Sequence, residues 1–83
     1  MRVVVYGKEG CHLCEDVIAV LERISMEKHL ELSSQDITSS PELFERYKNM
    51  IPVVEIDGKI KIAGSVLSSS YTLEQVLRKA LSL

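Results

Sequence analysis

Cys11-His12-Leu13-Cys14 holds the only two cysteines of this 83-residue chain. An apolar, β-branched run, Val3-Val4-Val5-Tyr6, comes before it, separated by the turn-like stretch Gly7-Lys8-Glu9-Gly10. A long helical pattern starts directly behind it. A strand must therefore hand the chain to a helix whose first turn carries both thiols. The first N–H groups of a helix have no partner within it, and the helix dipole is positive there, so the position favours an anion. A thiolate is such an anion, and it is the form in which cysteine acts as nucleophile or metal ligand. The pair alone thus says redox or metal.

A purely structural bridge explains the pair poorly, because it would close almost no loop. The chain also has no need of a staple: its apolar content of 46% is ordinary for a protein with a core. Its length suits one domain, residues 1–83. A net charge of −2 leaves no basic footprint for nucleic acid. No apolar run is long enough to span a membrane. The start of the chain, with one Arg and then a strand, carries no secretory h-region or cleavage site. The expectation is a soluble, cytoplasmic monomer. In that compartment thiols are mostly reduced, and a C-x-x-C pair tends to be catalytic or metal-binding.

Hydrophobic patterning supplies the element order. Residues 2–6 read as a buried central strand, since the run is nearly all apolar. Residues 12–28 read as a helix with Leu13, Val17, Val20, Leu21 and Ile24 on one stripe. Leu30 to Ile37 reads as a weaker strand. Ser40-Pro41-Glu42 combines an N-cap, a proline at the first helical position and an acid in the first turn. The short helix it opens should reach about Asn49 and bury Leu43, Phe44 and Tyr47. Ile51-Pro52-Val53-Val54-Glu55-Ile56, then Asp57-Gly58, then Lys59-Ile60-Lys61-Ile62, is a hairpin signal. A two-residue turn would set Glu55 opposite Ile60. Face matching prefers Ile56 with Ile60, Glu55 with Lys61 and Val54 with Ile62, and requires an extra loop or bulge residue. The last helix carries a Thr72/Gln75 capping box, a Tyr71/Val76 staple, and a core stripe of Leu73, Val76, Leu77, Ala80 and Leu81. The fold class is α/β, in the order β-α-β-α-β-β-α. A right-handed crossover makes the first two strands parallel, the last two are antiparallel, and helices cover both faces of a four-stranded mixed sheet.

This element order, the C-x-x-C at the start of the first helix and Ile51-Pro52 opening the third strand resemble a glutaredoxin within the thioredoxin-fold superfamily. The resemblance spans essentially the whole chain. Gly10-Cys11-His12-Leu13-Cys14 followed by acids, with Pro41-Glu42-Leu43 downstream, is most similar to the small glutaredoxin-like proteins of bacteria and archaea. Thioredoxin proper fits less well, since the chain has no Trp and lacks that family's extra N-terminal strand and helix.

The resemblance implies a dithiol–disulfide oxidoreductase with a redox-active disulfide between Cys11 and Cys14. Cys11 is the attacking thiolate and Cys14 the resolving thiol, and exchange runs through a mixed disulfide. It also implies a cis peptide before Pro52, which would lie against the disulfide and present the backbone of Ile51 to an extended substrate. The substrate is a disulfide of a protein or small molecule. Glutathione as co-substrate and a reductase of the thioredoxin-reductase type are the two reductants to consider, and no bound cofactor is expected.

Two side chains near the pair have two readings each. His12 stabilises the Cys11 thiolate or faces solvent; Lys8 aids thiolate formation or contacts a substrate carboxylate, or is a solvated turn lysine. Glu15 and Asp16 act against a second anion and complement the helix dipole, so only a modest depression of the Cys11 pKa is expected. Glutaredoxins usually have two glycines and an acid after the last strand to hold glutathione. Here Gly64-Ser65 stands without the second glycine, and the next acid is Glu74. Ser65 or Thr72 could take part of that role at the N-terminus of the last helix, or the stretch is a plain loop. Val66, Leu67 and Tyr71 line an apolar rim for a protein partner or finish the core.

Two other classes compete. A zinc or iron–sulfur module would need more ligands than Cys11 and Cys14 supply, since closed zinc sites use four. His12 is too close in sequence to be an easy third, and His29 lies at the far end of the helix. A redox-silent interaction domain is compatible with the fold but gives no reason for two thiols at a helix start.

Overall fold

In the computed structural model, which describes residues 1–64 and 73–81, β1 (Arg2–Gly7) runs through the middle of a four-stranded sheet. The strand order is β2-β1-β3-β4, with β2 at Glu31–Asp36, β3 at Val53–Ile56 and β4 at Lys59–Ala63. The helix α1 (His12–Glu27) connects β1 to β2, which lie parallel; β3 runs antiparallel to both β1 and β4. The element order expected from the sequence is the one observed. Gly7 is the last residue of β1 rather than the first of the turn.

Alternation along β1 sends Val3 and Val5 to one face, where both are buried. There they meet Val17, Val20, Leu21 and Ile24 of α1, together with Val54, Ile56, Ile62 and Leu77. Leu77 belongs to α3 (Leu73–Ala80), which lies against α1. Arg23 of α1 donates to Glu74 of α3 at 3.0 Å, and Arg78 donates to both Glu74 and Glu27. Surface pairs of this kind add modestly to stability; the apolar stripe beneath them does most to hold α3. The Thr72/Gln75 capping box and the Tyr71/Val76 staple involve residues outside those described.

The helix α2 (Pro41–Tyr47) takes the opposite face. Ser40 caps it, with its hydroxyl accepting from the Leu43 N–H, and Pro41 opens it as expected. Tyr47, Ile37 and Val53 are buried together, with Tyr6, Leu43, Ile51 and Ala63 packed around them. Ile37 closes this cluster from a single 3-10 turn, Ile37–Ser39, rather than from β2.

Two expectations fail here for one reason. The helix has only seven residues and covers only one end of its sheet face. Val4 is therefore half-buried rather than enclosed on both sides. Phe44 is 38% exposed rather than buried. Leu43 and Tyr47, four apart, form the inward stripe, and Phe44 turns to the flank beneath the ammonium of Lys48.

The hairpin satisfies both competing rules, one at each end. Asp57 and Gly58 both have positive φ, at 50° and 86°, as a two-residue turn of type I′ demands. That turn sets Ile56 opposite Lys59 and Glu55 opposite Ile60. The expected Ile56/Ile60 and Glu55/Lys61 pairs are thus wrong. A bulge then skips Lys61, and Val54 meets Ile62 as expected. The extra residue lies inside β4, not in the loop.

Candidate functional site

The end of β1, the start of α1 and the start of β3 meet at one end of the sheet. β1 stops at Gly7 and the chain turns through residues 8–10, with Gly10 at φ +84°. The turn closes when the Cys11 N–H donates to the Lys8 carbonyl at 3.3 Å. Cys11 is then the N-cap of α1. Its Sγ accepts from the backbone N–H of Cys14 at 3.2 Å, where a serine or aspartate oxygen would ordinarily act. The site thus offers this sulfur a hydrogen-bond donor and the positive end of a helix.

Cys11 and Cys14 are joined as a disulfide, with Cα atoms 5.2 Å apart. Cys11 is half-buried, while Cys14 is 3% exposed, one turn deeper. Cys14 packs against β1 because residue 7 has no side chain. A Cβ on Gly7 would lie 2.8 Å from Cys14 Sγ and 3.0 Å from its Cβ. The sequence marks Gly7 as a turn residue; its spacing from Cys11 holds no signal that the Cys14 sulfur rests on it.

The Ile51–Pro52 peptide bond is cis. Tyr6 pairs with Val53, and Val53 with Ala63. Gly7, Pro52 and Gly64 therefore follow one another across the same end of three adjacent strands. The Gly64 N–H donates to the Pro52 carbonyl at 2.9 Å. Gly64 has φ +46°, and a Cβ there would approach the Met50 carbonyl oxygen to 3.0 Å. Tyr47 braces the same segment by accepting from the Met50 N–H at 2.8 Å. Its ring stacks on Tyr6 with centroids 4.8 Å apart. Partial burial, then the nearby charge of Glu55, pushes the Tyr6 phenol above its usual pKa.

Of the residues expected to tune the pair, His12 faces solvent: its side chain is 94% exposed and its Nδ1 lies 3.5 Å from Glu15 Oε1. Lys8 is exposed and contributes its carbonyl to the turn. Ser65, Val66, Leu67, Tyr71 and Thr72 lie outside the described residues. Glu74, the first acid after Gly64, is occupied by Arg23 and Arg78, which hold its carboxyl below the usual range. Among the described residues, no group of three or more His, Cys, Asp or Glu side chains is gathered as a metal-ligand set. No described helix is long and apolar enough to cross a membrane.

A cleft of about 270 Å³ opens between α1 and the end of β2, and both Gly7 and Cys14 line it. Asp36 stands at its edge, its carboxyl held below the usual range by the hydroxyl and backbone N–H of Thr38.

A family model described as a glutaredoxin-like domain (DUF836) matches residues 2–82. No curated protein matches the chain. Among solved structures, a Nitrosomonas europaea protein determined by solution NMR is 34% identical, with 75% of each chain covered and a TM-score of 0.67. Thioredoxin 1 from Thermosipho africanus superposes over 99% of this chain and 96% of its own, with a TM-score of 0.62 at 12% identity. A malarial protein superposes over 98% and 92%, with a TM-score of 0.63 at 10% identity. The last two speak for the fold alone.

Proposed function

The chain belongs to the glutaredoxin-like domain family, with a thioredoxin fold, and on that premise we propose that it is a dithiol–disulfide oxidoreductase. The observation that carries the reading is the asymmetry of the pair. Cys11 is the more accessible sulfur and caps α1, accepting a backbone N–H. Cys14 is buried a turn behind it, within disulfide reach. Hydrogen bonding and the helix terminus favour the thiolate at Cys11.

The Cys11 thiolate attacks one sulfur of a substrate disulfide. The S–S bond breaks, the far sulfur leaves as a thiolate that takes a proton from solvent, and a mixed disulfide forms. Cys14 then loses its proton and attacks Cys11 Sγ, which expels the second substrate sulfur and closes the Cys11–Cys14 bridge. Two electrons have passed to the substrate. An external thiol reductant reverses the sequence on the protein. Ile51 and Pro52, at the same end of the sheet, would hold the extended substrate backbone, and Gly64 supports that turn. Substrates are disulfides of proteins or small molecules. The protein would act as a monomer in the cytoplasm, where reductant is abundant.

Parallel assays test this and separate the two reductants. One follows reduction of a small glutathione mixed disulfide by glutathione; the other follows insulin reduction by dithiothreitol. The wild type should be active in at least one, and Cys11→Ser should be dead in both. Cys14→Ser should accumulate a mixed disulfide, or retain activity only on glutathione-type substrates. Activity in the first assay names glutathione as reductant; activity in the second alone points to a reductase-type dithiol. Inactivity of the wild type in both would defeat the reading.

A further inference from the structure

In the oxidoreductase reading, Cys14 must shed a proton each time it resolves a mixed disulfide. Its surroundings make that step demanding. Cys14 is 3% exposed, and burial disfavours a thiolate. Among the described residues no polar or charged side chain is buried, so none stands beside the sulfur in the interior to take the proton. The acceptor has to be reached from outside.

The cleft between α1 and β2 provides the way. Leu32, Ser34 and Asp36 of β2 pair with Val3, Val5 and Gly7 of β1 and share the face that α1 covers. Leu32 is half-buried beneath α1 and packs on the core. At Ser34 that apolar layer ends: the side chain is small and polar, the residue is exposed, and it lines the cleft together with Cys14, Glu15 and Ile18 of the helix. Gly7 lies at the floor, where its missing side chain seats Cys14 Sγ against β1 and leaves the sulfur at the cleft wall. The carboxylates of Glu15 and Asp36 stand at the rim. β2 and β3 flank β1 on opposite sides. A substrate held by Ile51 and Pro52 at the start of β3 would therefore leave the β2 side open while the mixed disulfide exists.

We propose that this cleft is the proton outlet of Cys14, floored by Gly7 and held open by the small side chain of Ser34, so that solvent within it takes the Cys14 proton as that sulfur attacks Cys11. The S–H proton passes to water and on to bulk solvent past the rim carboxylates. The sulfur lone pair forms the Cys11–Cys14 bond, and the substrate sulfur departs with the electrons of the broken bond. Ser34 acts as a positioning residue through the space it leaves, not through its hydroxyl. This inference rests on the oxidoreductase reading.

Ser34→Ile and Ile18→Phe fill the cleft from its two walls, and Ser34→Ala keeps it open. The reduced proteins are mixed in a stopped-flow instrument with a symmetric aromatic disulfide whose thiol absorbs visible light. Attack by Cys11 releases one coloured thiol and resolution by Cys14 releases the other. In the filled variants the first phase should keep the wild-type rate. The second should slow on the order of tenfold, below the hundredfold or more that a positioned base contributes, and its pH profile should move upward. Ser34→Ala should match wild type in both phases. Folding of each variant is checked by circular dichroism, and either filled variant suffices for the test. An unchanged second phase, equal slowing of both phases, or a Ser34→Ala loss as large as that of Ser34→Ile would each overturn the outlet while leaving the oxidoreductase reading intact. A wild type with free thiols that releases neither equivalent would overturn that reading and the outlet with it.

Discussion

Replacing Gly7 with alanine should destabilise the protein through one contact. The new Cβ would lie 2.8 Å from Cys14 Sγ and 3.0 Å from Cys14 Cβ. Carbon atoms pack best at about 3.5–4.0 Å, so either Cys14 or β1 must move by several tenths of an ångström. Neither is free: Cys14 is fixed in α1 by the helix and its bridge, and β1 is paired on both sides. Overpacking of this kind costs about 1–3 kcal/mol. Alanine's smaller unfolded-state entropy returns about 0.4–1 kcal/mol, leaving a loss of about 1–2 kcal/mol. For a domain of this size that lowers Tm by about 5–15 °C. Thermal and urea unfolding followed by circular dichroism measure it. The cause is isolated by a double-mutant cycle with Cys14→Ala, run on reduced proteins. Removing Sγ abolishes the closer contact, so Gly7→Ala should cost less in that background, by at least about 0.5 kcal/mol. An alanine variant as stable as wild type, or an equal cost in both backgrounds, would refute the reasoning.

Other perturbations separate backbone, core and charge effects. Gly58→Ala meets no atom within 4 Å, but its φ is +86°, so denaturant titration should show a purely conformational loss of about 1–2 kcal/mol. Leu21 is fully buried, and Leu21→Ala should cost about 2–5 kcal/mol in the same titration. Phe44→Ala should cost much less, because Phe44 lies at the flank of α2 with 38% of its surface exposed. Hydrogen bonds from Arg78 and Arg23 hold the Glu74 carboxyl below its ordinary value of 4.5. A carboxyl depressed in the folded state stabilises above its ordinary pKa, and that contribution is lost as pH falls through the folded one. Glu74→Gln should therefore melt below wild type at neutral pH, with the gap closing in acid; melts across that pH range check it.

Much of this architecture was legible in the sequence, and the failures have local causes. Helical spacing identified Val17, Leu21 and Ile24 because the 3.6-residue period is strong over a long helix. Ser40-Pro41 located the start of α2 for the same reason that caps work in isolation: the signal is local. How far α2 covers the sheet is a tertiary question, and the exposure of Phe44 and Val4 depends on it. In the hairpin, turn chemistry and face matching gave conflicting registers. The chain obeys the first beside Asp57-Gly58 and the second beyond the bulge at Lys61, a division that pairwise matching does not display. The place of Cys11 and Cys14 at the start of α1 was readable from spacing and context. The contact between Gly7 and Cys14, and the cleft left by Ser34, were not, because both arise from residues absent or small across a strand pairing. His12 lies within the motif yet turns toward Glu15, since the helix start directs it to solvent.

The central claim is that Cys11 attacks and Cys14 resolves. Its most direct test is a trapping experiment with reduced Cys14→Ser and Cys11→Ser proteins, each incubated with a disulfide substrate and analysed by intact-mass and peptide mass spectrometry. The account predicts a stable substrate adduct on Cys11 in Cys14→Ser and little or none on Cys14 in Cys11→Ser. An adduct forming equally fast on Cys14, or none on Cys11, would contradict it.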